Sequence, residues 1–227
     1  MKIASLTPKE WFSGQLVQIK PKLRGWLHLG ATPLSLAASI VLVCLAPTTA
    51  TKIGSAVYLA CSLILFGVSA TYHRFYWAPR WEIIWKRLDH SNIFLLIAGT
   101  YTPITIALLE RSDATLLLSV VWGGALVGIL LNLFWPTAPR WLTTLVYVAL
   151  GWVAVWYLPQ LWAGGGPVIV WLIVAGGVLY TLGAIVYGMK KPDPSPTWFG
   201  FHEIFHAFTV AAWACHCVAV YLAVLNS

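Results

Sequence analysis

Seven long apolar stretches dominate this chain of 227 residues and limit what it can fold into. A helix needs roughly 20 apolar residues to cross the hydrocarbon core of a bilayer. Of all residues 59% are hydrophobic and 9% are charged, whereas soluble domains carry about 25% charged residues. The stretches lie near 26–47, 52–73, 88–109, 114–135, 141–159, 167–189 and 200–224. We therefore predict an all-α integral membrane protein, a seven-transmembrane helix bundle that crosses the cell membrane several times.

The residues before the first apolar stretch form a different kind of segment. Thr7-Pro8-Lys9-Glu10 has the form of a capping box with proline at the first helical position. Apolar residues recur after it as far as Pro21, which predicts a helix lying along the membrane surface. We expect two parts: 1–24 as a cytoplasmic segment with an interfacial helix, and 25–227 as the seven-helix transmembrane domain.

The basic residues predict the orientation of the chain. If seven helices span the membrane, one set of connections carries 12 Lys and Arg residues and the other carries 2, Lys52 and Arg111. The 12 are Lys2, Lys9, Lys20, Lys22, Arg24, Arg74, Arg80, Lys86, Arg87, Arg140, Lys190 and Lys191. Cytoplasmic connections are enriched in Lys and Arg, so we predict a cytoplasmic N-terminus and an outside C-terminus. The net charge of +7 then indicates contact with membrane lipids, and no nucleic-acid-binding domain is predicted.

Five polar residues lie at helix ends that this topology brings to the cytoplasmic side. Ser69 and His73 end the second stretch, Asp89 begins the third, and His202 and His206 begin the seventh. Side chains four residues apart share one face of a helix. Ionisable residues inside a membrane are costly and by default mark a functional site. The five residues therefore predict one site shared by three helices.

The residue types in this cluster are those of a metal site. His73, His202 and His206 can supply three nitrogens, and three protein ligands plus water is the usual arrangement of catalytic zinc. Asp89 is then placed to hold or deprotonate the water, which zinc makes acidic near neutral pH. Ser69 is expected to hydrogen-bond that water or to orient a substrate carbonyl.

A second pattern overlaps this cluster. Residues 202–206 spell HExxH, in which Glu203 would be the base of a zinc protease. No acidic residue follows Glu203, and His216 lies about 15 Å beyond His206 along a helix. An intramembrane protease is therefore disfavoured, and Glu203 is expected at most to support the site from one side.

Three motifs together resemble the signatures of the hemolysin III family, the bacterial branch of the progestin and adipoQ receptors, which is distantly similar to alkaline ceramidases. In chain order they are Ser69-Ala-Thr-Tyr72-His73, Arg87-Leu-Asp89-His-Ser91 and His202-x-x-x-His206. The resemblance covers all seven stretches and implies a seven-helix bundle with zinc near the cytoplasmic face. It implies His73, His202 and His206 as the ligands. It also implies that Asp89 and Ser69 surround the bound water.

The other histidines and the cysteines are expected to have structural roles. His28 resembles a further histidine of the family, but Pro21 and Arg24 stand where many members carry Glu and Asn, so we expect it to pack rather than to react. His90 is expected to be hydrogen-bonded or interfacial. Cys215-His216-Cys217 is expected to pack within the seventh helix, because alternate residues face opposite sides. Gly124-x-x-x-Gly128 predicts a close helix contact.

Three functions remain open at this point. The first is a zinc-dependent hydrolase of a lipid amide or ester that acts at the cytoplasmic leaflet, with Asp89 as general base and Ser69 at the oxyanion. The second is a receptor-like regulator of membrane lipid homeostasis in which zinc is structural. The third, a membrane-lytic pore, is disfavoured because the apolar stretches lack a continuous polar stripe.

Overall fold

The computed structural model describes residues 20–135 and 138–227. The surface helix predicted before Pro21 lies outside these residues. The described chain is helical, and its only strand-like pairing is an isolated bridge between Ser195 and Phe199. The prediction of an all-α fold is confirmed for the described residues.

In the residues that the structure describes, seven α-helices and one short 3-10 helix follow one another. The helices are α1 Trp26–Leu45, α2 Thr49–Arg74, α3 Pro79–Leu108, α4 Arg111–Phe134, α5 Arg140–Gly151, the 3-10 helix Trp152–Tyr157, α6 Leu158–Met189 and α7 Phe201–Leu225.

Six helical stretches of the described residues are long and apolar enough to cross a membrane. Five of them coincide with predicted stretches. The sixth, Trp141–Met189, is one continuous stretch of 49 residues where the sequence predicts two. It contains a kink at Gly166, whose backbone is non-helical with φ 75° and ψ 178°. Glycine suits this position because a positive φ is costly for residues with a Cβ, and Pro167 follows it.

Local sequence fixes where the site-bearing helices begin. The Thr48 hydroxyl accepts the backbone N–H of Thr51 at 3.2 Å and caps α2. Helix α3 has Pro79 in its first turn, where the missing N–H costs nothing. At the start of α7 the Glu203 carboxylate accepts the backbone N–H of Gly200 at 2.8 Å. The first residues of α3 and α7 determine where Asp89 and His202 lie around and along their helices.

Helix α3 occupies the middle of the bundle and packs against α2, α4 and α7. Helices α2 and α7 are joined by side chains: the Trp213 indole donates to the Ser62 hydroxyl at 3.2 Å, and the Phe66 and Trp213 rings meet edge to face at 5.4 Å. Helices α2, α3 and α7 are thus neighbours, which the predicted site requires.

Small residues allow the close contacts of α4. A Cβ added at Gly124 would lie 2.6 Å from Leu150 of α5, and one added at Gly128 would overlap the Phe94 ring of α3. The missing side chains of both glycines therefore let Leu150 and Phe94 pack directly against the backbone of α4, as the Gly124-x-x-x-Gly128 pattern predicts.

Candidate metal centre

The structure brings together the three histidines that the sequence singles out. His73 lies in the last turn of α2, and His202 and His206 lie in the first two turns of α7. One nitrogen from each ring can be chosen so that all three lie within 4.8 Å of one another. His73 and His206 are buried and His202 is half-buried. Among the described residues, these three side chains are the group of potential metal ligands that lie close enough together to hold one ion.

The spacing of the nitrogens fits a small tetrahedral ion. Nε2 of His73 and Nε2 of His202 are 3.2 Å apart. Two nitrogens that each lie 2.0–2.1 Å from a tetrahedral zinc are separated by about 3.3 Å. The nitrogen that His206 contributes lies within 4.8 Å of the other two. The imidazole donor set and its burial suit zinc, and they also suit other late transition metals.

Asp89 and Ser69 lie beside this group. A carboxylate oxygen of Asp89 is 3.5 Å from Nε2 of His73. Ser69 is buried one turn before His73 on α2, and its hydroxyl interacts with the Asp89 carboxylate. The helical spacing that predicted a shared face for Ser69 and His73 therefore also brings both to Asp89 on the neighbouring helix.

A cavity of about 410 Å³ opens next to the histidines. Its polar lining includes Ser69, Asp89, His202 and His206. Its apolar lining includes Leu65, Ile93, Ala184 and Phe205, and two cations, Lys86 and Arg87, also line it. The site therefore faces a space that is polar at the histidines and Asp89 and apolar beside them.

The apolar space continues away from the histidines. A second cavity of about 110 Å³ shares Leu65, Ile93, Tyr147 and Phe205 with the first. It reaches Tyr180, in the interior between α6 and the other helices. A narrow hydrocarbon group has room along this path.

His28 lies closer to the site than the sequence indicates. Its ring stacks on the ring of His206, with centroids 3.8 Å apart and planes 7° apart. It is 3% exposed, and neither ring nitrogen has a hydrogen-bond partner. The Phe66 ring also packs against the His28 imidazole in a T-shaped arrangement, with centroids 5.2 Å apart. The family position was the only sequence signal for this contact.

Glu203, the central residue of the HExxH pattern, is engaged elsewhere. Its carboxylate pairs with the Arg24 guanidinium and accepts the N–H of Gly200. It is 1% exposed and is not part of the histidine group. Glu203 therefore links the segment before α1 to the start of α7. It does not lie with the histidine group, as the base of an HExxH protease would.

The remaining histidines lie apart from the three-histidine group. Nε2 of His90 is 3.5 Å from the Tyr187 hydroxyl at the cavity wall. His216 contacts the Ile173 carbonyl of α6 at 3.0 Å. Both contacts agree with the hydrogen-bonding and packing roles expected for them.

These observations define a multi-pass helical membrane protein with a buried histidine group beside a carboxylate. Comparison with known proteins then gives its family. Residues 17–217 match the family described as Haemolysin-III related. The chain is 31% identical to Hemolysin-3 of Bacillus cereus over 194 residues, which are 83% of this chain and 85% of that protein. It is 32% identical to the Hemolysin-3 homolog of Bacillus subtilis (strain 168) over 192 residues, which are 83% and 87% of the two chains. The chain belongs to the Haemolysin-III related family.

Proposed function

We propose that this protein is a zinc-dependent hydrolase that cleaves an amide or ester bond of a membrane lipid. The observation that carries the proposal is the three-histidine group, which lies beside Asp89 at the wall of a cavity with apolar sides. Three histidines leave a fourth position of a tetrahedral ion for water or substrate. Structural zinc sites normally have four protein ligands, so the donor count favours a catalytic role.

In this proposal His73, His202 and His206 hold the zinc. When bound there, zinc supplies a Lewis acid that polarises a carbonyl and acidifies water. The Asp89 carboxylate takes the proton of the attacking water and delivers it to the leaving oxygen or nitrogen. Ser69 donates a hydrogen bond to the developing oxyanion. The acyl C–O or C–N bond breaks, the water oxygen remains on the acyl group, and the products are a fatty acid and an alcohol or amine.

The cavity supplies the substrate's binding site. A lipid acyl chain fits apolar walls such as Leu65, Ile93 and Phe205, and the second cavity extends them inward. The chain comes from a bilayer that is equally apolar, so these walls position it without a large gain from leaving water. The acyl chain thereby holds its carbonyl next to the polar end of the cavity, where Asp89 and His206 lie.

We further propose that Trp141–Met189 crosses the membrane twice, which gives seven spans. As one straight helix its 49 residues would extend about 74 Å, whereas the hydrocarbon core is about 30 Å thick. Two contacts with α3 support an outward first pass. The Tyr101 hydroxyl donates to the Gly151 carbonyl at 2.6 Å, and a Cβ added at Gly164 would lie 2.5 Å from the Leu108 carbonyl at the end of α3.

The return pass is supported by a contact at the other end of α3. The Tyr187 hydroxyl is 3.5 Å from Nε2 of His90, which lies 18 residues before Leu108 and thus about 27 Å from it along the helix. From Gly151 to Gly164 the chain runs from the level of Tyr101 to the level of Leu108. By Tyr187 it has returned past that starting level to His90, so it has reversed direction after Gly164. Gly166, with its positive φ, is the position of this reversal.

The basic residues give the proposed orientation. With seven spans, their 12-to-2 distribution places the N-terminus in the cytoplasm and the C-terminus outside. Residues 25–227 then form the transmembrane domain, and 1–24 precede it on the cytoplasmic side. The histidine group lies at the cytoplasmic leaflet.

Lipid turnover by the purified protein tests the proposed activity. Protein in nanodiscs would be given a ceramide and a diacyl phospholipid of known chains, and released fatty acid would be measured by mass spectrometry. We expect release from at least one lipid and its loss in His206→Ala. Val218→Ala, a truncation of an exposed residue of the same helix that lines neither cavity, serves as the matched control. Equal release by wild type and His206→Ala would contradict the proposal.

One observation favours a second function, a receptor-like regulator with structural zinc. Asp89 lies 3.5 Å from Nε2 of His73, the nitrogen that also faces His202, so it is also placed to act as a fourth ligand, and structural zinc normally has four. In that case Asp89→Asn would lower thermal stability and zinc content together. In the hydrolase it lowers turnover and leaves zinc bound.

A further inference from the structure

One face of α3 forms a wall of the 410 Å³ cavity from the charged start of the helix to its apolar middle. Lys86, Arg87, Asp89 and His90 line the cavity together with Ile93. Their spacing is that of one broad helical face. The cations, the carboxylate of the site and the apolar wall therefore follow one another along a single helix.

The two cations of this face lack acidic partners in the part of the chain that the structure describes. The close contacts between acidic and basic side chains there are Arg24 with Glu203 and His73 with Asp89. The Nε of Arg87 is buried and has no hydrogen-bond partner. A buried donor without a partner costs free energy, and a guanidinium costs more than a neutral group. A ligand in the cavity that carries an anionic group would satisfy it.

The positions of the cations set where the anionic group must be. Lys86 and Arg87 precede Asp89 by three and two residues, a rise of about 4.5 and 3 Å along α3. In a glycerol-based phospholipid only a few bonds separate the headgroup phosphate from the acyl ester. A carbonyl beside Asp89 therefore places such a phosphate within reach of both cations.

We propose that the cavity binds a lipid with a phosphate-bearing anionic headgroup, which Lys86 and Arg87 hold while its acyl ester carbonyl meets the histidine site. The proposal rests on the hydrolase function and narrows its substrate class. Guanidinium and ammonium groups are the usual partners of phosphate, and arginine can bind it with two parallel bonds. Water adds to the ester carbonyl, the acyl C–O bond breaks, and the alcohol that leaves keeps its phosphate.

Other cations of the same predicted membrane side provide the comparison. Arg80 and Lys191 are exposed and do not line the cavity. The Arg80 guanidinium lies 5.5 Å from the Trp81 ring. If basic residues served only to orient the chain or to attract anionic lipid in general, removing these two would have the same effect as removing Lys86 and Arg87.

Binding of short-chain lipids to the purified full-length protein in an uncharged detergent tests the proposal without relying on turnover. Dioctanoyl phosphatidic acid and dioctanoylglycerol have the same chains and differ in the phosphate. We expect the phosphatidic acid to bind at least about tenfold more tightly. Lys86→Gln with Arg87→Gln should remove this preference, and Arg80→Gln with Lys191→Gln should keep it. The charge-conserving pair Lys86→Arg with Arg87→Lys should also keep it, which separates loss of charge from loss of folding.

Each other outcome has a defined meaning. Equal binding of the two lipids, or equal loss in both neutralised variants, would overturn the proposed headgroup site while leaving the hydrolase proposal standing. Inorganic phosphate at the same concentration should not displace the lipid, because it cannot use the apolar walls; displacement would overturn the lipid as the ligand. Phosphate-dependent binding without any ester cleavage would contradict the hydrolase function and support the headgroup site.

Discussion

The ring of His28, at the start of α1, lies flat against the ring of His206, with centroids 3.8 Å apart. This contact ties α1 to the histidine group, which α2 and α7 carry. Both nitrogens of His28 are buried without partners, so what it offers His206 is a flat surface. It holds one face of that ring and so limits the directions in which the ring can turn.

Two substitutions of His28 distinguish the effect of its flat ring on stability from the effect of its two nitrogens. His28→Ala leaves a buried hole beside His206, and we expect a loss of about 3 kcal/mol in the free energy of unfolding. His28→Phe keeps a flat ring and removes two unpartnered nitrogens, so we expect stability equal to wild type or higher. Thermal unfolding in detergent measures both. A loss in His28→Phe as large as that in His28→Ala would show that the nitrogens themselves are required.

Asp89→Asn tests the proposed general base. Asparagine has nearly the same shape and cannot take a proton from water, so we expect lipid turnover to fall about 10²- to 10⁴-fold. Zinc content and the thermal midpoint should stay near wild type, because the carboxylate is not among the three ligands. Turnover close to wild type would exclude Asp89 as the base, and loss of zinc would favour the structural function.

The Arg24–Glu203 pair tests the anchor between the segment before α1 and α7. Arg24→Met leaves the Glu203 carboxylate buried and unpaired, and we expect a loss of about 3 kcal/mol in stability. Adding Glu203→Gln removes that charge while keeping an acceptor for Gly200, so the double variant should recover part of the loss. If Glu203→Gln alone abolished turnover with zinc retained, the assignment of Glu203 as an anchor would be wrong.

Chemical labelling tests the proposed double crossing of Trp141–Met189. Gln160 and Lys191 are exposed positions before and after the Gly166 kink. With two passes, a cysteine at Gln160 should react with a membrane-impermeant maleimide from outside the cell, and one at Lys191 only after the cytoplasmic face is opened. The parent chain with its native cysteines provides the background. Labelling of both from the same side would contradict seven spans.

The helical parts of this molecule follow from local sequence, and so do the site's main residues. Apolar length predicts the helices because the membrane requires it. The i, i+4 spacing of Ser69 with His73 and of His202 with His206 is a local property that survives folding. The meeting of α2, α3 and α7 was an assumption at the level of sequence, and the structure supplies it.

The relationships that sequence reasoning missed are tertiary. Arg24 and Glu203 are 179 residues apart, and no local pattern tells which cation approaches a buried carboxylate. The stacking of His28 on His206 depends on how α1 is rotated against α7, which hydrophobic length does not encode. The break between the fifth and sixth predicted stretches falls at Gly166, and the helical segment before it continues past residue 159, where the sequence predicts its end.

The metal content of the purified protein tests the central claim most directly. Wild type, His206→Ala and His216→Gln would be purified side by side without chelator or added metal and analysed by elemental mass spectrometry. We expect about one zinc per chain in wild type and in His216→Gln, and a large loss in His206→Ala. A wild-type protein that holds no stoichiometric metal, or equal zinc in all three, would contradict a zinc centre at His73, His202 and His206.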